Sequence, residues 1–238
     1  RFYGENEGVM VARTGWNRGI GDYTNDMLVR FFAPTIHGAG HDHLDKGHFD
    51  IYYKGSLALD SGVYNGEQYY DDDGNLVTNV QMGSDHDNNY HRMTIAHNAM
   101  LIYNPDEVMT GAKASLLVNS GGQREVGYGK LYSSAEAYKA GNDIGDVLAK
   151  GIGDNYSFLK GDITGAYSEE KLNEYTRSFM FLDFKESGTP GALIVLDKVN
   201  AKDASFKKTW LLHTKNEPEY LDGAVTSEET INCTCKSS

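Results

Sequence analysis

A chain of 238 residues, 39% of them hydrophobic, can bury a sizeable core without disulfide staples, which excludes a disordered chain. No apolar run approaches the roughly 18 residues of a membrane-spanning helix, so that class is excluded too. With 34 acidic against 22 basic residues, the net charge of −12 argues against a sequence-independent nucleic-acid binder.

Glycine (27) and tyrosine (16) are abundant, proline is rare (4), and long helical periodicities are few, so strands joined by turns dominate. In chain order, HGAGHDHLDKGH (His37 to His48) comes first and gathers four of the eight histidines. FDIYYKGSLALDSG (Phe49 to Gly62) reads as two strands around Lys54-Gly55. The polar stretch from Tyr69 to Asn89 reads as a solvated loop. Its DDDGN run lacks the glycine spacing and distal glutamate of an EF-hand calcium loop. SSAEAYKA (Ser133 to Ala140) is long enough for a turn or two of helix before Gly141 and Gly145. RSFMFLDF (Arg177 to Phe184), GALIVLDKV (Gly191 to Val199) and KKTWLLHT (Lys207 to Thr214) read as three more strands, with linkers as short as those of a meander. Cys233 and Cys235 are too close to bridge each other without strain. The expected fold is all-β, an antiparallel β-sandwich with minimal helix.

Clustered histidines beside carboxylates are where a metal or acid–base site belongs. His41 and His43, two residues apart, point to one side of an extended backbone. Asp60, His97, Asp45, Asp42 and His91 are candidates to complete a set suited to zinc or a similar divalent ion. If Lys54-Gly55 is a two-residue turn, Asp60 faces Phe49, and His43 lies about 20 Å further along an extended chain. Sharing a metal therefore requires HDHLDKG to fold back, which Gly40 and Gly47 permit. Spacing alone leaves a metal site and a histidine-rich surface loop equally open.

HDHLDKGHFDIYYKGSLALDSGVY (His41 to Tyr64) and HRMTIAHNAMLIYNP (His91 to Pro105) resemble the signature blocks of the heparinase II/III-like polysaccharide lyases. GGQR (Gly121 to Arg124), KGDITGAYS (Lys160 to Ser168), RSFMFLDF and KKTWLLHT are similar to later blocks of that family in the same order. The likeness runs from Gly15-Trp16 to His213-Thr214, and the wording of His41 to Gly55 is similar to the heparinase II subfamily. The resemblance implies that His43, Asp60 and His97 hold a structural zinc ion. It implies a catalytic role for His41 and Tyr64, and a ligand- or substrate-orienting role for Asn98. Two blander uses remain beside these, an aromatic packing at a strand end for Tyr64 and support of the metal ligands for Asn98.

The resemblance also implies a reaction, β-elimination of a uronic-acid linkage, and an acidic polysaccharide substrate, with a glycosaminoglycan favoured. That substrate sits awkwardly beside the acidic net charge. Lyases of this type join an N-terminal α-helical toroid to a C-terminal sandwich, and nothing here reads as the toroid. Residues 1–238 are therefore expected to form the sandwich of a longer protein, periplasmic or secreted and inactive alone. A non-catalytic, metal-stabilised carbohydrate-binding module and a uronyl C5-epimerase are the alternatives. A zinc hydrolase is disfavoured because no glutamate is placed as a general base near the histidines. Trp16 and Trp210 could stack on sugar rings but are expected in the core, with Met93, Met100, Met109 and Met180 as filler.

Overall fold

Alternation builds the first sheet. In the computed structural model, VMVAR and LVRFF bury every second side chain, as half-buried strands must. The structure describes residues 1–3, 8–16, 25–33, 35–38, 42–111, 114–127, 130–186, 188–221, 224–227 and 231–233. β1 (Phe2–Tyr3), β2 (Val9–Arg13), β3 (Leu28–Phe32), β4 (Phe49–Tyr52) and β5 (Ser56–Ala58) form an antiparallel sheet in chain order. β6 (Gln68–Tyr70) and β7 (Leu76–Asn79) make a separate exposed hairpin, and β8 (Met100–Tyr103) follows. β9 (Val147–Ile152), β10 (Tyr156–Asp162), β11 (Leu172–Asp183) and β12 (Gly191–Ala201) form a second antiparallel sheet. β13 (Lys207–Trp210) pairs with β8, and β14 (Glu219–Leu221), β15 (Ala224–Ser227) and β16 (Ile231–Cys233) form a small sheet of their own.

The two larger sheets meet through aromatic rings. Phe31 of β3 lies flat on Phe179 of β11, with centroids 4.6 Å apart and planes within 4°. Phe49 of β4 leans on the same ring at 5.6 Å. Met10, Val29, Leu159, Tyr167 and Tyr175 close the core around them. Fully burying one such side chain contributes roughly 1.5–3 kcal/mol, so this layer holds the sandwich together. The one α-helix among the described residues, α1 (Ala135–Gly141), starts where Ser134 caps it, its side chain accepting from the Ala137 N–H at 3.1 Å.

Several expectations shift. β10, β11 and β12 do form a meander, but β13 leaves it and pairs with β8 from Lys207↔Tyr103 to Trp210↔Met100. A short linker fixed the distance to the next strand, not its partner. The Tyr69–Asn89 stretch is not all loop: it holds the β6–β7 hairpin and a π-helical turn, Asp87–His91. Trp16 and Trp210 are not core residues. Trp16 is 71% exposed under the Arg13 guanidinium, and Trp210 is 38% exposed, its indole N–H donating to Asp197. Met93 and Met100 are buried as expected, whereas Met109 and Met180 are half-buried. Cys235 lies outside the described residues. Among the described residues, no helix is long and apolar enough to cross a membrane.

Candidate metal centre

The β4–β5 hairpin sets one ligand. Ile51 faces Ala58 as a two-residue turn at Lys54-Gly55 requires, but Tyr52 pairs with Ser56, one residue out of register. The slip is a bulge, with Lys54 at φ 54° and the Tyr53 N–H bonded to the Gly55 carbonyl. Beyond Ala58 the chain leaves the sheet. Leu59 donates to the His213 carbonyl (3.1 Å) and Ser61 to the Ala96 carbonyl (3.0 Å), which brings Asp60 beside His97.

The loop carrying His43 folds back through protein contacts. Leu44 N–H donates to the Arg92 carbonyl at 2.9 Å and Gly47 N–H to the Phe32 carbonyl at 2.6 Å. Gly47 adopts φ +86°, a left-handed conformation that favours glycine. Gln123, 2% exposed, pairs amide-to-peptide with Lys46, accepting from its N–H (2.9 Å) and donating to its carbonyl (2.7 Å). The Thr94 hydroxyl donates to the Leu44 carbonyl at 2.7 Å.

His43, Asp60 and His97 thus converge, with ligand atoms all within 4.8 Å of one another. His43 Nδ1 stands 3.1 Å from His97 Nε2, which stands 3.2 Å from Asp60 Oδ1. His97 Nδ1 faces the Met93 carbonyl at 2.8 Å and so carries the proton, leaving the Nε2 lone pair for the cluster. Burial pushes the His97 pKa down, against the nearby Asp45 and Asp60 charges, which keeps it neutral. Two facing imidazole nitrogens and a carboxylate oxygen suit a divalent cation with an open position left for water. The donor set therefore fits a zinc-type ion.

The other candidates have different tasks. Asp42 accepts from the Gly38 N–H (2.7 Å) and Lys46 Nζ (3.0 Å) and faces His37 Nδ1 (3.2 Å). Asp45 pairs with Lys46 at 3.5 Å. Burial would raise the Asp42 pKa, but His37, Lys46 and the Gly38 N–H outweigh it and hold the carboxyl well below its ordinary 3.8. A depressed folded-state pKa stabilises above the unfolded value and is lost as pH falls through the folded one. Asp42→Asn is therefore expected to destabilise by about 1–3 kcal/mol near neutral pH. The deficit should vanish in acid, which urea midpoints measured across pH will read.

Asn98 is 0% exposed and its amide is fully used. Nδ2 donates to the Phe49 (2.8 Å) and Leu59 (3.1 Å) carbonyls, while Oδ1 accepts from the His213 N–H (2.6 Å). The structure places it as a brace between ligand-bearing segments. Asn98→Ala is expected to lower metal affinity by about 10–100-fold, as loss of an outer partner typically does. Isothermal titration with zinc reads this directly, and unchanged affinity would contradict the bracing role.

His91 is not in the ligand cluster. It sits at the end of the π-turn with its ring centroid 4.7 Å from that of His43, the planes nearly perpendicular, and its face stacked on Tyr64 at 5.6 Å. Gly62 allows this approach, since a Cβ there would come 3.1 Å from the His91 Cα. Tyr64 itself is 41% exposed. His41 lies outside the described residues. Sequence reasoning missed the braces Gln123 and Arg177. Only the GGQR and RSFMFLDF blocks pointed to them, and a glutamine or an arginine in a strand carries no local sign of its partners.

A search of curated protein sequences returned no match. Among solved structures, a heparan sulfate lyase from Pedobacter heparinus is similar over 93% of this chain and 27% of its own, with 18% identity and a TM-score of 0.52. That likeness shows the fold, and the chain spans about a quarter of that enzyme's length. The model of the heparinase II/III-like C-terminal family matches residues 11–233. Nearly the whole sandwich lies within that match, and the chain belongs to the heparinase II/III-like C-terminal family.

Proposed function

We propose that this chain is the sandwich part of a polysaccharide lyase that breaks uronic-acid linkages by β-elimination, with a glycosaminoglycan as the favoured substrate. The observation that carries the reading is the continuous contact from the His43–Asp60–His97 cluster through His91 to the exposed Tyr64. Elimination needs a base for the C5 proton, neutralisation of the neighbouring carboxylate, and an acid for the leaving oxygen. Because the C5 proton is only mildly acidic, stabilising the developing charge dominates the barrier. Tyr64 presents its phenol to that chemistry, and His41 is proposed as the second group. Zinc, when bound, supplies positive charge beside the acidic 62–110 segment and fixes the ligand loops. The partner domain is proposed to be an N-terminal helical toroid completing the cleft, in a secreted or periplasmic protein.

His91 holds Tyr64 in this scheme. In the full-length enzyme, His91→Ala should lower kcat by about 10-fold or more, as misplacing a catalytic group does. His91→Phe, which keeps the stacking face, should restore most of it. The decisive assay incubates full-length protein with heparin, heparan sulfate and alginate and follows the ultraviolet absorbance of unsaturated uronate. Absence of product with every polymer would overturn the lyase reading.

A further inference from the structure

We propose that His48 and Asp50 are positioning residues for the metal centre, an imidazole–carboxylate pair that fixes the ligand His97 without reaching the ion. His48 immediately precedes β4 and Asp50 lies within it, so the two side chains, two residues apart, point to one side of the extended backbone. His48 is 1% exposed and both of its ring nitrogens are engaged. Nδ1 accepts from the Asn98 N–H at 2.9 Å, and Nε2 faces Asp50 Oδ1 at 2.9 Å. A backbone N–H can only donate, so Nδ1 is bare and Nε2 carries the proton. The tautomer is the reverse of that in His97, whose proton sits on Nδ1 facing the Met93 carbonyl.

The outer end of this pair is anchored. Asp50 Oδ2 accepts from Arg30 Nε at 2.7 Å, and the Arg30 guanidinium in turn covers the Phe32 ring at 4.4 Å. Burial would raise the Asp50 pKa, but the His48 hydrogen bond and the Arg30 charge outweigh it, so the carboxylate stays an ionised acceptor. Asp50 and the ligand Asp60 line one groove of about 350 Å³ along strands β2 to β5. The inner end presses on the ligand. Asn98 follows His97, so the N–H that His48 holds belongs to the peptide joining them. The His48 ring also stands across the His97 ring, with centroids 5.4 Å apart and planes at 89°. His97 is thereby held at Nδ1 by the Met93 carbonyl, at its own peptide by His48 Nδ1, and across its ring by the His48 imidazole.

Packing alone does not call for an imidazole here. A phenylalanine would fill the space between Phe32 and His97, but it would leave the buried Asn98 N–H without an acceptor and Asp50 without its inner donor. An imidazole is a rigid bar with an acceptor at one end and a donor at the other. The placement of Asp50 therefore reaches the His97 peptide with no freely rotating bond between the two hydrogen bonds. Outer partners of this kind typically set metal affinity over about 10–100-fold. This positioning role presupposes the divalent cation read at the His43–Asp60–His97 cluster and nothing of the elimination chemistry.

The test titrates the full 238-residue chain with zinc, and with cobalt(II), whose visible absorbance reports ligand geometry. His48→Gln keeps a donor for Asp50 but loses the acceptor beside Asn98; it should weaken zinc about 10-fold or more and change the cobalt spectrum. His48→Asn keeps an oxygen near the Nδ1 position and should lose less. Asp50→Leu should follow His48→Gln, whereas Asp50→Asn, which still accepts from Nε2, should restore most of the affinity. The Asp50 side chain is 23% exposed, so this second pair keeps the test open where a His48 variant fails to fold. Urea midpoints of the metal-free proteins separate folding from positioning. Wild-type zinc affinity in His48→Gln and Asp50→Leu would overturn the proposal, and so would lowered midpoints with an unchanged cobalt spectrum. A His48 ring protonated on Nδ1, read by nitrogen NMR, would overturn it as well. A wild-type chain that retains neither metal would sink the metal centre and this pair with it. The lyase reading stands or falls separately, in the uronate assay of the full-length protein.

Discussion

Replacing Arg177 with methionine is expected to lower stability by about 3–5 kcal/mol, or roughly 6–20 °C in melting temperature, and to abolish metal retention as well. The guanidinium is 0% exposed. Its Nε and Nη2 grip Asp197 at 2.7 and 2.9 Å, and its Nη1 donates to the Gly47 (2.6 Å) and Asn98 (2.8 Å) carbonyls. Gly47 ends the loop that carries His43, and Asn98 follows His97, so one side chain ties two ligand-bearing segments to β11. The Tyr175 hydroxyl and the Trp210 indole also donate to Asp197, which makes the pair the centre of a satisfied network. Removing the cation strands a nearly buried carboxylate and two carbonyls. Adding Asp197→Leu removes the stranded charge and should recover part of the stability, read as a denaturant midpoint. It should not recover metal retention, because the two carbonyls still lack their donor. Full return of zinc stoichiometry in the double variant would show that Arg177 acts only as the counter-ion of Asp197.

The strand at RSFMFLDF was legible because a short aromatic-rich apolar run bounded by turn residues needs no distant information, and β11 buries every second side chain there. Pairing was less legible. KKTWLLHT reads as a strand, yet its partner MLIY lies more than a hundred residues earlier, and no local feature of either announces the other. The ligand triad came from the family resemblance. Hairpin arithmetic predicted Ile51 opposite Ala58 correctly and then failed at Tyr52, because a bulge with a left-handed lysine costs little locally and leaves no mark in the pattern. The fold-back of the His43 loop was beyond local reading for the same reason. Its determinants, Gln123 and Arg177, are 77 and 130 residues from the Lys46 and Gly47 groups they hold. Trp210 was misjudged because bulk suggested the core, whereas the indole N–H needs an acceptor and finds Asp197 near the surface.

Removing metal should cost less than removing Arg177 and should discriminate among the ligands. A ligand present at 100 times its Kd stabilises the folded state by about 2.7 kcal/mol, which for a chain of this size is roughly 5–10 °C. Chelation should lower the melting temperature by about that much, and readdition of zinc should restore it. The scaffold itself should survive, because the loop is held by Gln123, Thr94 and Arg177 whether or not the ion is bound. The three ligands are not equivalent. His97 is 0% exposed with its tautomer fixed by the Met93 carbonyl, so nothing replaces it, and His97→Ala should weaken zinc by more than the ~10–100-fold expected for an outer partner. The Asp60 side chain is 43% exposed, so water can take its place, and Asp60→Asn should cost less. Without a cation, His43 Nδ1 and His97 Nε2 cannot both face each other at 3.1 Å as bare lone pairs, so one must hold a proton. With His97 protonated on Nδ1, that proton sits on His43 Nδ1, and zinc binding requires the His43 ring to shift it to its other nitrogen. Equal losses for His97→Ala and Asp60→Asn would mean that the ion sits elsewhere than between these three side chains.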